Sequence, residues 1–188
     1  MLLLPFLKKR GLSLNGPLQG KVFPGQWNLK WRCAMAPVVI RLADRNDAVF
    51  MKQIHENALA SCSAFYSKEV MQILTDPSRL TAEGYMKAIQ QKEIYVALLN
   101  HKMAGFVHFD SREIHGLFVD PGHQKKGIGK KLVRKFFEEN KNRSNFVVES
   151  TLNAEAFYQK MGFKTMKKTY TVRSGIKIPV IKMGMVKS

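Results

Sequence analysis

The residues best suited to chemistry stand between Leu117 and Leu132, in the run Leu-Phe-Val-Asp-Pro-Gly-His-Gln-Lys-Lys-Gly-Ile-Gly-Lys-Lys-Leu. Gly127 and Gly129 open a segment in which Leu132, Val133, Phe136 and Phe137 recur on one helical face. The first N–H groups of a helix have no intrahelical partner and lie at the positive end of its dipole. Glycine at such a place removes the Cβ that would hold an anion away from the main chain. Lys125, Lys126 and Lys130 add positive charge beside it. The chemistry that fits is the grip of a phosphate or diphosphate group. Two familiar nucleotide loops are excluded: GxxxxGK[ST] is missing, and Gly122, Gly127 and Gly129 do not space as GxGxxG.

A loop of this kind needs a strand to deliver it and a helix to receive it. Residues 113–119 (EIHGLFV) read as the strand and the segment after Gly129 as the helix. Upstream, residues 37–42 form a β-branched strand. Asp44 or Asn46 then caps a helix running to Ala60, with Val49, Phe50, Ile54, Ala58 and Leu59 near helical spacing. Residues 67–74 look helical and end at Asp76-Pro77-Ser78, after which Tyr85, Met86 and Ile89 mark another helix. Residues 93–99 and 103–109 pair through a turn at Asn100-His101-Lys102. Downstream come a buried-type strand at 145–150, a short helix over 153–161 ended by Gly162, and two strands, 163–172 and 178–186, around Arg173-Ser174-Gly175.

Gln124-Lys125-Lys126-Gly127-Ile128-Gly129 resembles the Q/R-x-x-G-x-G/A diphosphate motif of the GNAT superfamily of N-acyltransferases, and Leu117 to Pro121 looks like that family's fourth strand. A second stretch, Asn153-Ala154-Glu155-Ala156-Phe157-Tyr158-Gln159-Lys160-Met161-Gly162-Phe163, resembles the family's Asn followed by A-x-x-F-Y-x-x-x-G-F. The resemblance runs over roughly residues 38–187. It implies an α/β (α+β) fold: a mixed, mostly antiparallel central sheet splayed between strands 4 and 5, with helices on both faces. It also implies acetyl-CoA as co-substrate. The pantetheine arm would pair like an added strand along Leu117, Phe118 and Val119. The diphosphate would rest on the main-chain amides of Gln124, Lys125, Lys126, Gly127, Ile128, Gly129 and Lys130.

The reaction so implied is acetyl transfer to a primary amine. An alkylamine attacks a thioester only when neutral, and its pKa lies near ~10, so a base must take its proton. Strand alternation places Glu113, His115, Leu117 and Val119 on one face, and several family members carry a Glu or His base at these positions. Imidazole titrates nearer neutrality than carboxylate, which makes His115 the first candidate and Glu113 the second. The family's counterpart of Tyr158 protonates the leaving thiolate. The main-chain N–H near Val119 would polarise the thioester carbonyl. Asn153 is the candidate for bonding the pantetheine arm. It departs from the common pattern, standing five residues before the tyrosine, where Thr151 occupies the seven-back place. Glu149 and His108, on neighbouring strands, are further candidates to face the acceptor.

The chain has 188 residues and a formal net charge of +17, which suits anionic partners and, weakly, an anionic acceptor. The charge is spread without a Lys/Arg block or a recognisable nucleic-acid motif, so nucleic acid is not the expected partner. No apolar run reaches the ~20 residues of a membrane span. Cys33 and Cys62 read as free thiols of a reducing, cytoplasmic setting, and the five histidines lack metal-ligand spacing, so no metal is expected. Residues 1–35 contain no Asp or Glu and read as a poorly ordered basic extension, a targeting segment, or translation upstream of a start at Met35; residues 36–188 form the catalytic domain. The acceptor, a small molecule or a protein amine, stays open, as does a homodimer. A catalytically silent CoA-binding module is the competing class, against which the presence of both Tyr158 and His115 counts.

Overall fold

The computed structural model describes residues 37–78 and 80–186. The expectation for residues 1–35 lies outside the described residues. Among the described residues seven strands, β1 (Val39–Leu42), β2 (Ile94–Leu99), β3 (Lys102–Phe109), β4 (Glu113–Val119), β5 (Asn145–Ser150), β6 (Lys164–Arg173) and β7 (Ile176–Val186), form one sheet in the order β1-β2-β3-β4-β5-β7-β6. Every neighbouring pair is antiparallel except β4 and β5. The helices are α1 (Asp47–Ala60), α2 (Lys68–Leu74), α3 (Met86–Gln90), α4 (Ile128–Glu139) and α5 (Glu155–Lys160).

Period-two patterning in β2 and β3 sends alternate side chains to two cores. On one face Tyr95, Ala97 and Val107 meet Leu132, Val133 and Phe136 of α4. On the other, Ile94, Val96 and Phe106 meet Ala48, Met51 and Ile54 of α1 and Ala88 and Ile89 of α3. Helices therefore cover both faces, as expected. A smaller cluster joins Val70 of α2 to Ile178 and Val180 of β7.

Local chemistry explains the joints. Asn100 and His101 both take positive φ, the left-handed pair that a two-residue hairpin turn requires. Ser67 caps α2 by accepting the Val70 N–H. Gly162 follows α5 at φ +97°, a conformation open to glycine at little cost. Asn46, although it stands at the N-cap of α1, makes no side-chain capping bond. Instead Asp47 accepts the Asp44 N–H and pairs with Arg41 at 2.6 Å, fixing the corner between β1 and α1.

The face of α1 differs from expectation. Val49 and Phe50 are exposed, at 65% and 60%, while Ala48 and Met51 are buried. Ile54 and Leu59 are buried as expected, so the difference is confined to the first turn, where Ala48 and Met51 take the inward positions.

Candidate functional site

β4 and β5 pair only at Glu113 with Val147 and Ile114 with Val148. Among the described residues β4 has no partner on that side from His115 onward, so the sheet is splayed between its fourth and fifth strands. On its other side β4 stays paired with β3 as far as Val119. The Asp120 N–H donates to Ala104 C=O at 3.0 Å, still towards β3. Ladder alternation then turns the main-chain groups of Val119 and Leu117 away from β3 and into the gap. The Gln124 side-chain amide donates to the Val119 carbonyl there, at 3.3 Å.

The gap leads to the basic loop. Asp120 begins a short 3-10 turn over Pro121–His123 and accepts the Gly122 N–H at 3.0 Å. Asn57 of α1 donates to the same carboxylate at 3.3 Å, tying that helix to the end of β4. Burial opposes the charge on Asp120, but His123, Asn57 and the Gly122 N–H outweigh it and hold its pKa below the ordinary carboxylate value. Lys125 and Gly127 then take positive φ, and Gly127 caps α4 in the left-handed region at +79°. Among the described residues, no group accepts from the main-chain N–H of residues 125–130; the ladder of α4 starts with Lys131 on Gly127 C=O at 3.1 Å. Lys125, Lys126, Gly127 and Lys130 are exposed, and a Cβ built on Gly127 would meet nothing within 4 Å. The loop is thus an open cradle of peptide donors from Lys125 to Lys130; the Gln124 N–H, expected to belong to it, instead donates to Pro121 C=O at 3.4 Å. Ile128 is buried and serves as an anchor for α4; only its N–H is available.

Gly129 closes the cradle onto the second motif. A Cβ there would lie 3.4 Å from the Phe157 ring and 3.7 Å from Leu117 Cδ2, so α5 reaches both the start of α4 and the wall of the gap. Tyr158 follows Phe157 and is 4% exposed, edge-on to Phe163. Burial alone pushes its phenol well above the ordinary tyrosine pKa, which keeps the proton on oxygen. No buried side-chain oxygen or nitrogen among the described residues lacks a partner, so the Tyr158 hydroxyl, which bonds none of the described residues, retains contact with the surface of the described chain.

Asn153 lies exposed at the head of α5, where its Oδ1 stands 3.6 Å from the Cys62 thiol. Burial raises the pKa of that thiol. Tyr66 bridges the same region, accepting the Leu152 N–H at 3.1 Å and donating to Pro179 C=O at 3.2 Å. The segment after α1 is thereby fastened to the end of β5 and to β7.

His115 and Glu113 call for a correction. Ladder register shifts between His108, opposite Gly116, and Phe109, opposite Ile114, so His115 is the extra residue of a β-bulge. The bulge reverses the parity of β4: Ile114, Leu117 and Val119 pack on the α4 side, and Phe118 on the α1 side. His115 and Glu113 consequently do not share a face with Leu117 and Val119. The His115 ring lies 5.0 Å from that of His108, on the face away from α4. Its Nε2 is 3.1 Å from Asp110 Oδ2, and its Nδ1 is 4.0 Å from Glu113 Oε1. Burial, then the neighbouring His115, lowers the pKa of His108, against Asp110. Asp110 was absent from the sequence reading; its signal is Asp110-Ser111-Arg112, a turn at the β3–β4 hairpin. Glu149, exposed on β5, has no partner that brings it to this cluster.

Further along that face, His55 of α1 lies over Phe118 with centroids 3.8 Å apart. Burial, and secondarily the charge of Arg173, lowers its pKa to about 4. Its Nδ1 stands 2.7 Å from the Tyr85 hydroxyl, whose own pKa burial raises to about 12. A cavity of about 590 Å³ at the β1–α1 corner, lined by Arg41, Phe50, Gln53 and His101, reaches the Asn57–Asp120 contact but none of the candidate catalytic or CoA-binding residues. Among the described residues, no three His, Cys, Asp or Glu side chains gather as a metal site, and no helix is long and apolar enough to cross a membrane.

A family model described as "Acetyltransferase (GNAT) domain" matches residues 62–186. The chain is 26% identical over 90 residues to the Uncharacterized N-acetyltransferase YafP of Escherichia coli (strain K12), covering 48% of this chain and 58% of the relative. It thus spans little more than half the length of that relative. Its fold is similar to that of a GCN5-related N-acetyltransferase from Rhodopseudomonas palustris, with a TM-score of 0.75 at 17% identity over 81% of this chain and 97% of the other. It is also similar to yncA of Salmonella typhimurium, solved with acetyl-CoA, with a TM-score of 0.59 at 20% identity over 81% and 95% of the two chains.

Proposed function

The chain belongs to the GNAT acetyltransferase family, and from that footing we propose that it moves the acetyl group of acetyl-CoA to a primary amine by direct attack. One observation carries the reading: the main-chain groups of Leu117 and Val119 face a gap in the sheet that runs straight into six unpaired N–H groups, from Lys125 to Lys130. A pantetheine arm has amides to pair with the first, and a diphosphate suits the second. Nothing else in the described residues asks for a sheet with an internal edge.

In the proposed step the base, His115 or Glu113, takes one proton from the ammonium of the acceptor, directly or through water. The neutral nitrogen attacks the thioester carbonyl carbon while an N–H in the gap, that of Val119 in this reading, receives the developing oxyanion. The C–S bond breaks as Tyr158 gives its proton to the thiolate. The second N–H proton of the former amine replaces the one that Tyr158 gave. Products are the acetamide and free CoA thiol, with one proton released. The raised phenol pKa at Tyr158 keeps the proton on oxygen at neutral pH, the form in which a donor must wait. Asn153, exposed beside Cys62, is assigned to the pantetheine arm.

The test is thiol release from acetyl-CoA with a panel of polyamines, free amino acids and a short lysine-bearing peptide, alongside a CoA titration. Saturable CoA binding with amine-dependent thiol release supports the reading. CoA binding without release from any acceptor favours a silent module, and no CoA binding overturns the assignment of the loop.

A further inference from the structure

We propose that Asp110 is a positioning residue that fixes the tautomer and orientation of His115, making Nδ1 the basic nitrogen; the proposal rests on the acetyl-transfer reading above. Asp110 sits at the β3–β4 hairpin, and its two carboxylate oxygens have separate tasks. Oδ1 accepts the Arg112 N–H and the Glu113 N–H, both at 2.8 Å. The Asp110 N–H donates to Glu113 C=O at 3.0 Å, so the turn holds this residue through main chain and side chain together. Oδ2 is left to face His115 Nε2 at 3.1 Å. Burial opposes the charge on Asp110, but the Arg112 and Glu113 N–H groups and His115 hold its pKa below the ordinary value, so it remains an acceptor.

An acceptor at Nε2 requires the proton there, which leaves the lone pair on Nδ1. Glu113 Oε1, at 4.0 Å from Nδ1, is beyond hydrogen-bond distance and does not compete for the proton. The remaining group against the ring is His108, at 5.0 Å between centroids. The bulge puts His115 just past the last β4–β5 pair, where the sheet opens. A strand residue at a bulge has no ladder to hold its side chain in register, and a carboxylate anchored on the neighbouring turn supplies that restraint. In the transfer step Nδ1 takes the amine proton, Nε2 keeps its own, and the imidazolium that forms lies against the Asp110 carboxylate. No bond to Asp110 changes.

Asp110→Asn isolates the effect. Its Oδ1 keeps both turn bonds, while its NH2 group offers Nε2 a donor and drives the proton to Nδ1. The expected result is a fall in kcat of roughly 10- to 1,000-fold with KM for acetyl-CoA within about twofold and an unchanged melting temperature. The ¹⁵N shifts of His115 should move from the Nε2–H to the Nδ1–H pattern. In a His115→Ala background the same substitution should have no further effect on kcat. Active wild type with an unaffected Asp110→Asn variant, an unmoved tautomer, or an equal loss in the His115→Ala background each overturns the positioning role. Wild-type protein that binds no CoA sinks the transfer reading itself, and this role with it.

Discussion

The hydroxyl of Tyr66 accepts the main-chain N–H of Leu152 at 3.1 Å. Leu152 opens the turn that leads into Tyr158, and the same hydroxyl donates to Pro179 of β7 at 3.2 Å. One oxygen thus joins the connection between α1 and α2, the end of β5 and the last hairpin. Tyr66→Phe removes both bonds and leaves the Leu152 N–H without its partner, at an expected cost of about 1–3 kcal/mol. Urea unfolding of the two proteins checks it; superimposable curves would mean that the bridge has no part in stability.

At Tyr158 the prediction concerns rate. Tyr158→Phe keeps the ring and its packing against Phe163 and removes only the proton donor. Turnover should fall by about 10²- to 10⁴-fold, the usual range for a lost general acid, while the affinity for acetyl-CoA changes little. Steady-state kinetics paired with calorimetric titration measure the two separately. A variant that keeps full turnover would remove Tyr158 from the chemistry.

Gly127 gives a pair of substitutions with different expectations. Its φ of +79° costs any L residue about 1–2 kcal/mol, so Gly127→Ala should unfold more readily while still binding CoA. No protein atom would touch the new Cβ, so packing does not decide the outcome. Gly127→Glu places a carboxylate in the cradle assigned to the diphosphate and should abolish CoA binding. Normal titration of CoA into the glutamate variant contradicts that assignment.

His55 sets a pH dependence. The unfolded chain takes up this proton near 6.5 and the folded chain near 4. The unfolded state therefore binds more protons between those values, and stability falls as pH drops through that window. It is unaffected by this group above the window and levels off below it. The full effect is on the order of 3 kcal/mol. Denaturant unfolding from pH 7 to pH 4 should show a shallower acid limb for His55→Phe than for wild type. Parallel limbs would rule His55 out as the source.

The parts of the site that the sequence announced are those written in consecutive residues. Gln124 to Gly129 and Ala154 to Phe163 carry their own geometry, through glycines at left-handed positions and a short helix with a defined end. The order of strands and helices followed in the same way from periodicity and turn residues. What escaped depends on residues far apart. The bulge at His115 exists because β4 must hold register with His108 and Phe109 on β3, and no pattern within residues 113–119 encodes that. The same bulge breaks the alternation by which His115 had been placed beside Leu117. On α1, Val49 and Phe50 looked like core residues by type, yet the helix turns Ala48, Met51 and Ile54 to the sheet, an orientation set by packing against β2 and β3 and not by residue type. Asp110 escaped because its task is defined by the direction of one carboxylate oxygen, a property of the folded turn.

The parting of β4 from β5 gives the sheet a free margin in its interior. Free strand margins recruit other chains, and proteins ordinarily cover them with polypeptide. In the proposed function the cover is a metabolite. A molecule that binds only the folded form adds about 2.7 kcal/mol of stability at a hundredfold excess over its Kd. Closure of that interior margin, and the resistance to unfolding that comes with it, would then last only while the metabolite is in place.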